Sequence, residues 1–159
     1  MSNMQEEKEE LIEMFGIHFE THHRLSPLSA RILSLLIVEN CKSGLTFDDL
    51  VFKLGASKSS VSTNLTLLLK MGKLEYHTLA GDRKKYYKPS SFGDRMRTYL
   101  QIVLDEKKMV KRMLDYRKKT TENPIQCSNL EMLKVYQDHV IEFESFLSKT
   151  IKKLDKIEK

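Results

Sequence analysis

Leu50, Val51 and Leu54, followed by Val61, Leu65, Leu68 and Leu69, mark the inward sides of two short helices with only Gly55-Ala56-Ser57 between them. Gly55 is the residue type that closes a helix in the left-handed conformation, and Ser57 is an N-cap that opens the next one. Directly after Met71-Gly72 the period changes from helical to alternating, with Leu74, Tyr76 and Thr78 interleaved with Glu75, His77 and Leu79. Ala80-Gly81-Asp82-Arg83 reads as a turn, and Lys85-Tyr86-Tyr87-Lys88 as the returning strand. A helix-turn-helix followed at once by a two-stranded β ribbon leaves few architectures open, and it predicts a mainly α, winged helix-turn-helix chain.

The flanking segments complete such a domain. Residues 4–22 place Leu11, Ile12, Met14, Phe15, Ile17 and Phe19 among six glutamates, which suits an amphipathic first helix with an acidic outer face. Ser26-Pro27 supplies an N-cap and an N1 proline for a second helix, apolar nearly all round through Val38, which predicts the buried centre of the domain. Thr46-Phe47-Asp48-Asp49 offers a capping-box start to the third helix.

A long helix is expected to run from Ser91 to about Lys119, uninterrupted by Gly or Pro after Gly93, with Met96, Leu100, Val103, Val110 and Leu114 near heptad spacing. Thr120 to Pro124 reads as a connector, and Ser128 with Glu131 as a capping box opening a last helix. That helix keeps Leu133, Val140, Leu147 and Leu154 at one heptad position and Tyr136 and Phe143 at another. A stripe this long requires a partner: in part the preceding helix, in part a second copy of the chain. The expected organisation is a DNA-binding unit over 1–90 and a dimerisation region over 91–159. The expected homodimer interface is Leu133, Tyr136, Val140, Phe143, Leu147 and Leu154.

Charge narrows the function. The chain of 159 residues carries 27 Lys and Arg against 22 Asp and Glu, a net of +5. Between Gly55 and Thr120, however, 16 cations face 6 anions, a net of +10. The basic charge is therefore concentrated on the segment that holds the helix-turn-helix and ribbon, which favours a polyanionic partner. Ser57, Lys58, Ser59, Ser60, Ser62, Thr63 and Asn64 lie at the start of the second short helix, where short side chains allow close approach to base edges and backbone N–H groups meet phosphates. Asp82, Arg83, Lys84 and Lys85 lie at the ribbon tip, with Asp82 placed to orient a neighbouring cation. The expected partner is double-stranded DNA, with helix 57–71 in the major groove and tip 80–85 at the minor groove.

At these residues the chain resembles a known family. Ser26-Pro27-Leu28-Ser29-Ala30-Arg31-Ile32-Leu33, the stretch from Leu54 to Leu65 and Gly81-Asp82-Arg83-Lys84-Lys85-Tyr86-Tyr87 look like the GbsR branch of the MarR-type transcriptional regulators. The resemblance covers roughly residues 10–100. It implies a winged-helix dimer that represses a nearby promoter under control of a small-molecule effector, and it places Arg83 where relatives insert an arginine into the minor groove. Thr63 stands where many relatives carry arginine. Some relatives respond to choline, and Tyr76, Tyr86, Tyr87, Tyr99 and Tyr136 would suit a quaternary ammonium by cation–π attraction; ordinary packing of tyrosines is the competing explanation.

Other chemistry has little support. His18 and His22 share a helix face, with His23 beside them, but no further ligand completes a metal site, and packing is the simpler reading. Cys41 and Cys127 form no disulfide framework, and packing is again the expectation. No phosphate-binding loop, dinucleotide fingerprint, zinc-protease motif or nucleophile elbow is present, so neither an enzyme nor a cofactor is expected. With no apolar run near the length of a membrane span and no signal peptide, a cytoplasmic location is expected and no membrane partner. The rival class is a protein-interaction adaptor without specific DNA binding, in which the winged helix and the coiled-coil stripe dock other proteins.

Overall fold

The computed structural model describes residues 2–39 and 43–157, and Cys41 lies outside these. The elements are α1 (Ser2–His23), α2 (Pro27–Glu39), β1 (Leu45–Thr46), α3 (Phe47–Leu54), α4 (Lys58–Lys70), β2 (Leu74–Thr78), β3 (Lys85–Pro89), α5 (Phe92–Thr120) and α6 (Pro124–Ile157). They form two compact units, one ending at Ser90 and the other beginning at Ser91.

In the first unit α2 is the centre. Ala30, Ile32, Leu33, Leu35 and Leu36 are buried and meet Phe19 of α1, Leu50 of α3, Val61, Leu65 and Leu68 of α4 and Tyr87 of β3. Local chemistry sets the helix ends. Ser26 Oγ accepts the Ser29 N–H at 3.3 Å, so Pro27 begins α2 where its missing donor costs nothing. Thr46 caps α3 with a reciprocal box: its hydroxyl accepts the Asp49 N–H at 3.2 Å, and its own N–H donates to Asp49 Oδ2 at 2.9 Å. The Thr46 hydroxyl also donates to Asp49 Oδ2 at 2.6 Å, and this bond, followed by that from the Thr46 N–H, holds the Asp49 carboxyl below the usual carboxylate range. Gly55 closes α3 in the left-handed region at φ 60°.

The sheet is antiparallel in the order β1-β3-β2. The expected ribbon is present as β2 and β3, with Tyr76 paired to Tyr87 and His77 to Tyr86. Leu45 and Thr46 add a third, short strand to β3 that the sequence did not announce, because two residues carry no alternation to detect. The chain reaches β1 through Gly44, at φ 76°, where a Cβ would stand 2.5 Å from the Tyr87 carbonyl oxygen.

The second unit is a helical hairpin. Val103, Val140 and Leu147 form its buried centre, with Met96 and Leu100 packed against it. Arg97 pairs with Asp155, Lys107 with Glu144, and the Tyr136 hydroxyl donates to Glu106. The start of α5, at Arg97, thus meets the end of α6, and the middle of α5, at Glu106 and Lys107, meets earlier residues of α6, so the two helices run antiparallel. The last helix begins at Pro124 and not at the expected Ser128 capping box. Proline is pre-shaped for the first helical turn, and the Cys127 N–H already bonds to the Asn123 carbonyl at 3.0 Å. Cys127 consequently sits on the helix and is exposed, which corrects the expectation that it packs inside.

Candidate nucleic-acid interface

The N-terminal half of α4 presents a small, polar and largely exposed face. Ser57 caps the helix, its hydroxyl accepting the Ser60 N–H at 3.2 Å and donating to Ser60 Oγ at 2.8 Å. Lys58, Ser59, Ser60, Ser62 and Thr63 are exposed, while Val61, Leu65 and Leu68 on the opposite side are buried in the core. No acidic residue lies in the first turn, so the positive end of the helix dipole is left for an outside anion. The Thr63 hydroxyl donates back to the Ser59 carbonyl at 3.0 Å, leaving its methyl and oxygen lone pairs outward. Asn64 differs from its neighbours. It is half-buried and hydrogen-bonded to Ser26 and Ser29 of the α2 N-terminus.

The hairpin tip is built around Asp82. Gly81 takes φ 81° and the Asp82 N–H bonds to the Leu79 carbonyl at 3.0 Å. Asp82 does not orient a cationic head as expected. Its Oδ1 accepts the Lys84 backbone N–H at 2.9 Å and its Oδ2 accepts the Tyr86 hydroxyl at 2.7 Å. The backbone bond from Lys84, followed by that from Tyr86, lowers the Asp82 pKa, and the same contact raises that of Tyr86. The carboxylate thus organises the turn, and a local acceptor so close to a backbone donor wins over a flexible side chain. Arg83 and Lys84 are exposed and make no salt bridge among the described residues, whereas Lys85 Nζ lies 4.2 Å from the centre of the Tyr76 ring. Lys88 pairs with Glu75 at 3.0 Å.

The remaining candidates take local roles. Tyr87 is buried in the core, Tyr76 lies beneath Lys85, and Tyr86 and Tyr136 spend their hydroxyls on Asp82 and Glu106. These contacts are those of packed tyrosines, and a cleft on the second unit is lined by another residue, Tyr116, with Arg117, Thr120, Thr121 and Asn129. The His18 and His22 rings lie 4.9 Å apart, tilted by 48°, and His23 Nδ1 faces Lys73 Nζ at 3.2 Å. Val140 and Leu147 are buried inside the hairpin of one chain, Leu133 and Leu154 are half-buried, and Tyr136 and Phe143 remain exposed. The stripe is therefore divided between a covered and an uncovered side.

Such a helical core around α2, carrying a capped helix-turn-helix and a β hairpin with a basic tip, is a winged helix-turn-helix fold. Over 92 residues the chain is 34% identical to the HTH-type transcriptional regulator MmpR5 of Mycobacterium tuberculosis (strain ATCC 25618 / H37Rv), a match covering 55% of this chain and 54% of that protein. The chain thus spans about half the length of the curated relative it matches. A solved chain described as a transcriptional regulator superposes with a TM-score of 0.65 over 94% of this chain and 99% of its own, at 23% identity, a likeness of fold. No protein-family profile matches the chain. Among the described residues no helix is long and apolar enough to cross a membrane.

Proposed function

We propose that this protein is a sequence-specific DNA-binding transcriptional regulator acting as a homodimer. The observation that carries the reading is the pairing, on one compact unit, of the exposed Lys58–Thr63 face with an exposed, unbridged Arg83-Lys84 tip. Helix α4 enters the major groove, where its short hydroxyls reach base edges, and the tip lies along the minor groove. The relative named as a transcriptional regulator supports this reading.

The second copy is supported by the hairpin surface. Ile102, Met109, Met113 and Tyr116 are exposed on α5, roughly a third of a turn from the seam residues Val103, Val110 and Leu114. Met132, Val135, Phe143 and Phe146 are exposed on α6, displaced in the same sense from Val140 and Leu147. Because the helices are antiparallel, equal displacements in sequence sense bring both stripes to one side of the hairpin. An apolar face of that extent calls for a cover, and a two-fold copy supplies a matching one. Two recognition helices then read half-sites about one helical turn apart. The mode we propose is repression by occupancy of promoter DNA, responsive to a small-molecule effector.

Selection of duplexes from a random pool tests the reading. The expected product is a pseudo-palindrome whose binding weakens steeply with salt as phosphate contacts release counterions. Binding with no sequence preference and a flat salt response, together with retention of a protein partner, would establish the adaptor reading instead.

A further inference from the structure

Asn64 lies among the exposed residues of α4, yet its side chain turns back into the protein. Its Oδ1 accepts the Ser26 hydroxyl at 2.7 Å and the Ser29 hydroxyl at 2.6 Å, while its Nδ2 donates to the Ser60 carbonyl at 2.8 Å. Ser29 is fully buried, and Ser26 is at the same time the N-cap of α2. Both lone pairs of the amide oxygen are thereby used. An asparagine that reads adenine needs that oxygen to accept from the base while its N–H donates, so Asn64 in this state is not equipped for the pairing.

A second tie holds the far end of the same helix. Gly72 and Lys73 close α4 with N–H bonds to the Leu69 and Leu68 carbonyls at 3.0 Å each, and Lys73 Nζ donates toward His23 Nδ1 at 3.2 Å. Both ties end on one short corner, residues 23–29, where α1 hands over to α2 and Arg24 adopts φ 52°. A non-glycine residue in that conformation persists where its surroundings over-determine it. Two anchor points at different heights along a helix fix its direction and its rotation.

We infer that the α1–α2 corner is the seat that sets the pose of α4, and that Asn64 is a positioning residue that fixes which side chains face DNA without itself reading a base. The inference rests on the DNA-binding reading above for its functional consequence, and on the hydrogen bonds alone for its structural part. Movement of α1 against this corner would be transmitted to the recognition face through Asn64 and Lys73.

The test uses the full chain and the duplex that the unmodified protein selects. Ser29→Ala is expected to weaken binding about fivefold, the worth of one net hydrogen bond. Asn64→Ala, which breaks the ties to both Ser26 and Ser29, is expected to weaken it further, and both are expected to blunt preference across several adjacent base pairs. The double variant is expected to be no weaker than Asn64→Ala alone, because that change already removes the Ser29 tie. Ser26→Thr, which keeps the hydroxyl at an exposed position, is expected to bind as the unmodified protein does, while Ser26→Ala is not. Loss of preference at one base pair in Asn64→Ala, with Ser29→Ala silent, would overturn the inference in favour of direct readout. Residual dipolar couplings of the α4 amides relative to α2 give a readout without DNA. Reorientation of α4 in Ser29→Ala and Asn64→Ala is expected, and unchanged couplings would overturn the seat. If the unmodified protein selects no duplex, the regulator reading fails while the couplings still decide the positioning role.

Discussion

Tyr86 and Asp82 are joined across the mouth of the hairpin turn by a hydrogen bond of 2.7 Å from the phenol to Oδ2. The other carboxylate oxygen takes the Lys84 N–H, so a single acidic side chain closes the tip that carries Arg83 and Lys84. A negative charge at a site proposed to meet phosphate is explained by this geometry: it shapes the turn that projects the cations.

The pair has a titration signature. With the Asp82 pKa held down chiefly by the Lys84 N–H and then by Tyr86, the ionised form favours the folded turn. A depressed folded pKa means that this contribution is present above the ordinary aspartate value and is lost as pH falls through the folded one. Tyr86→Phe should raise the Asp82 pKa part of the way back, since the larger backbone contribution remains. Carboxyl carbon shifts followed by NMR across the acid range read this directly, and an unmoved Asp82 would show that the phenol contributes nothing.

Arg83 is the next expectation. If the tip enters the minor groove, Arg83→Ala should weaken duplex binding by roughly 1–3 kcal/mol, whereas Lys118→Ala, near the end of α5 in the other unit, should change little. Fluorescence anisotropy at fixed salt compares the two. Equal losses would mean that diffuse charge carries the contact.

Gly44 gives a stability prediction. Its φ of 76° disfavours any side chain, and a Cβ would meet the Tyr87 carbonyl at 2.5 Å, which is backbone and belongs to the central strand. Gly44→Ala should cost roughly 1–3 kcal/mol from the backbone conformation, with the clash adding to it. In urea the midpoint should fall with the slope unchanged.

What the sequence made legible was local. The Ser26, Thr46 and Ser57 caps, the Gly55 stop and the alternation of Leu74–Thr78 each depend on residues a few places apart, and each appears where expected. The inward turn of Asn64 was not legible, because its partners stand 35 and 38 residues away and only packing of α2 on α4 brings them within reach. Asp82 was expected to bind a charge because charge is visible in a sequence, while the backbone N–H and phenol that capture it are set by the hairpin register. The α6 stripe was visible as a stripe, but which part faces α5 is decided by the rotation of a second helix.

That rotation separates two classes of substitution on α6. Val140 is 2% exposed and Leu147 3%, both inside the hairpin, so Val140→Asp buries a charge without a partner and should unfold the second unit. Phe143 and Phe146 are 40% and 64% exposed, so Phe143→Asp with Phe146→Asp should leave the hairpin folded. If a second copy covers the α5–α6 face, the latter pair introduces charge at the interface and should give a monomer of unchanged helix content. Losing the fixed spacing of two recognition helices should then weaken duplex binding although neither residue belongs to the first unit. Sedimentation equilibrium and circular dichroism on both variants check this. A Phe143→Asp, Phe146→Asp protein that sediments as a dimer would place the contact elsewhere, with the exposed Leu11, Met14 and Ile17 of α1 as the next surface to alter.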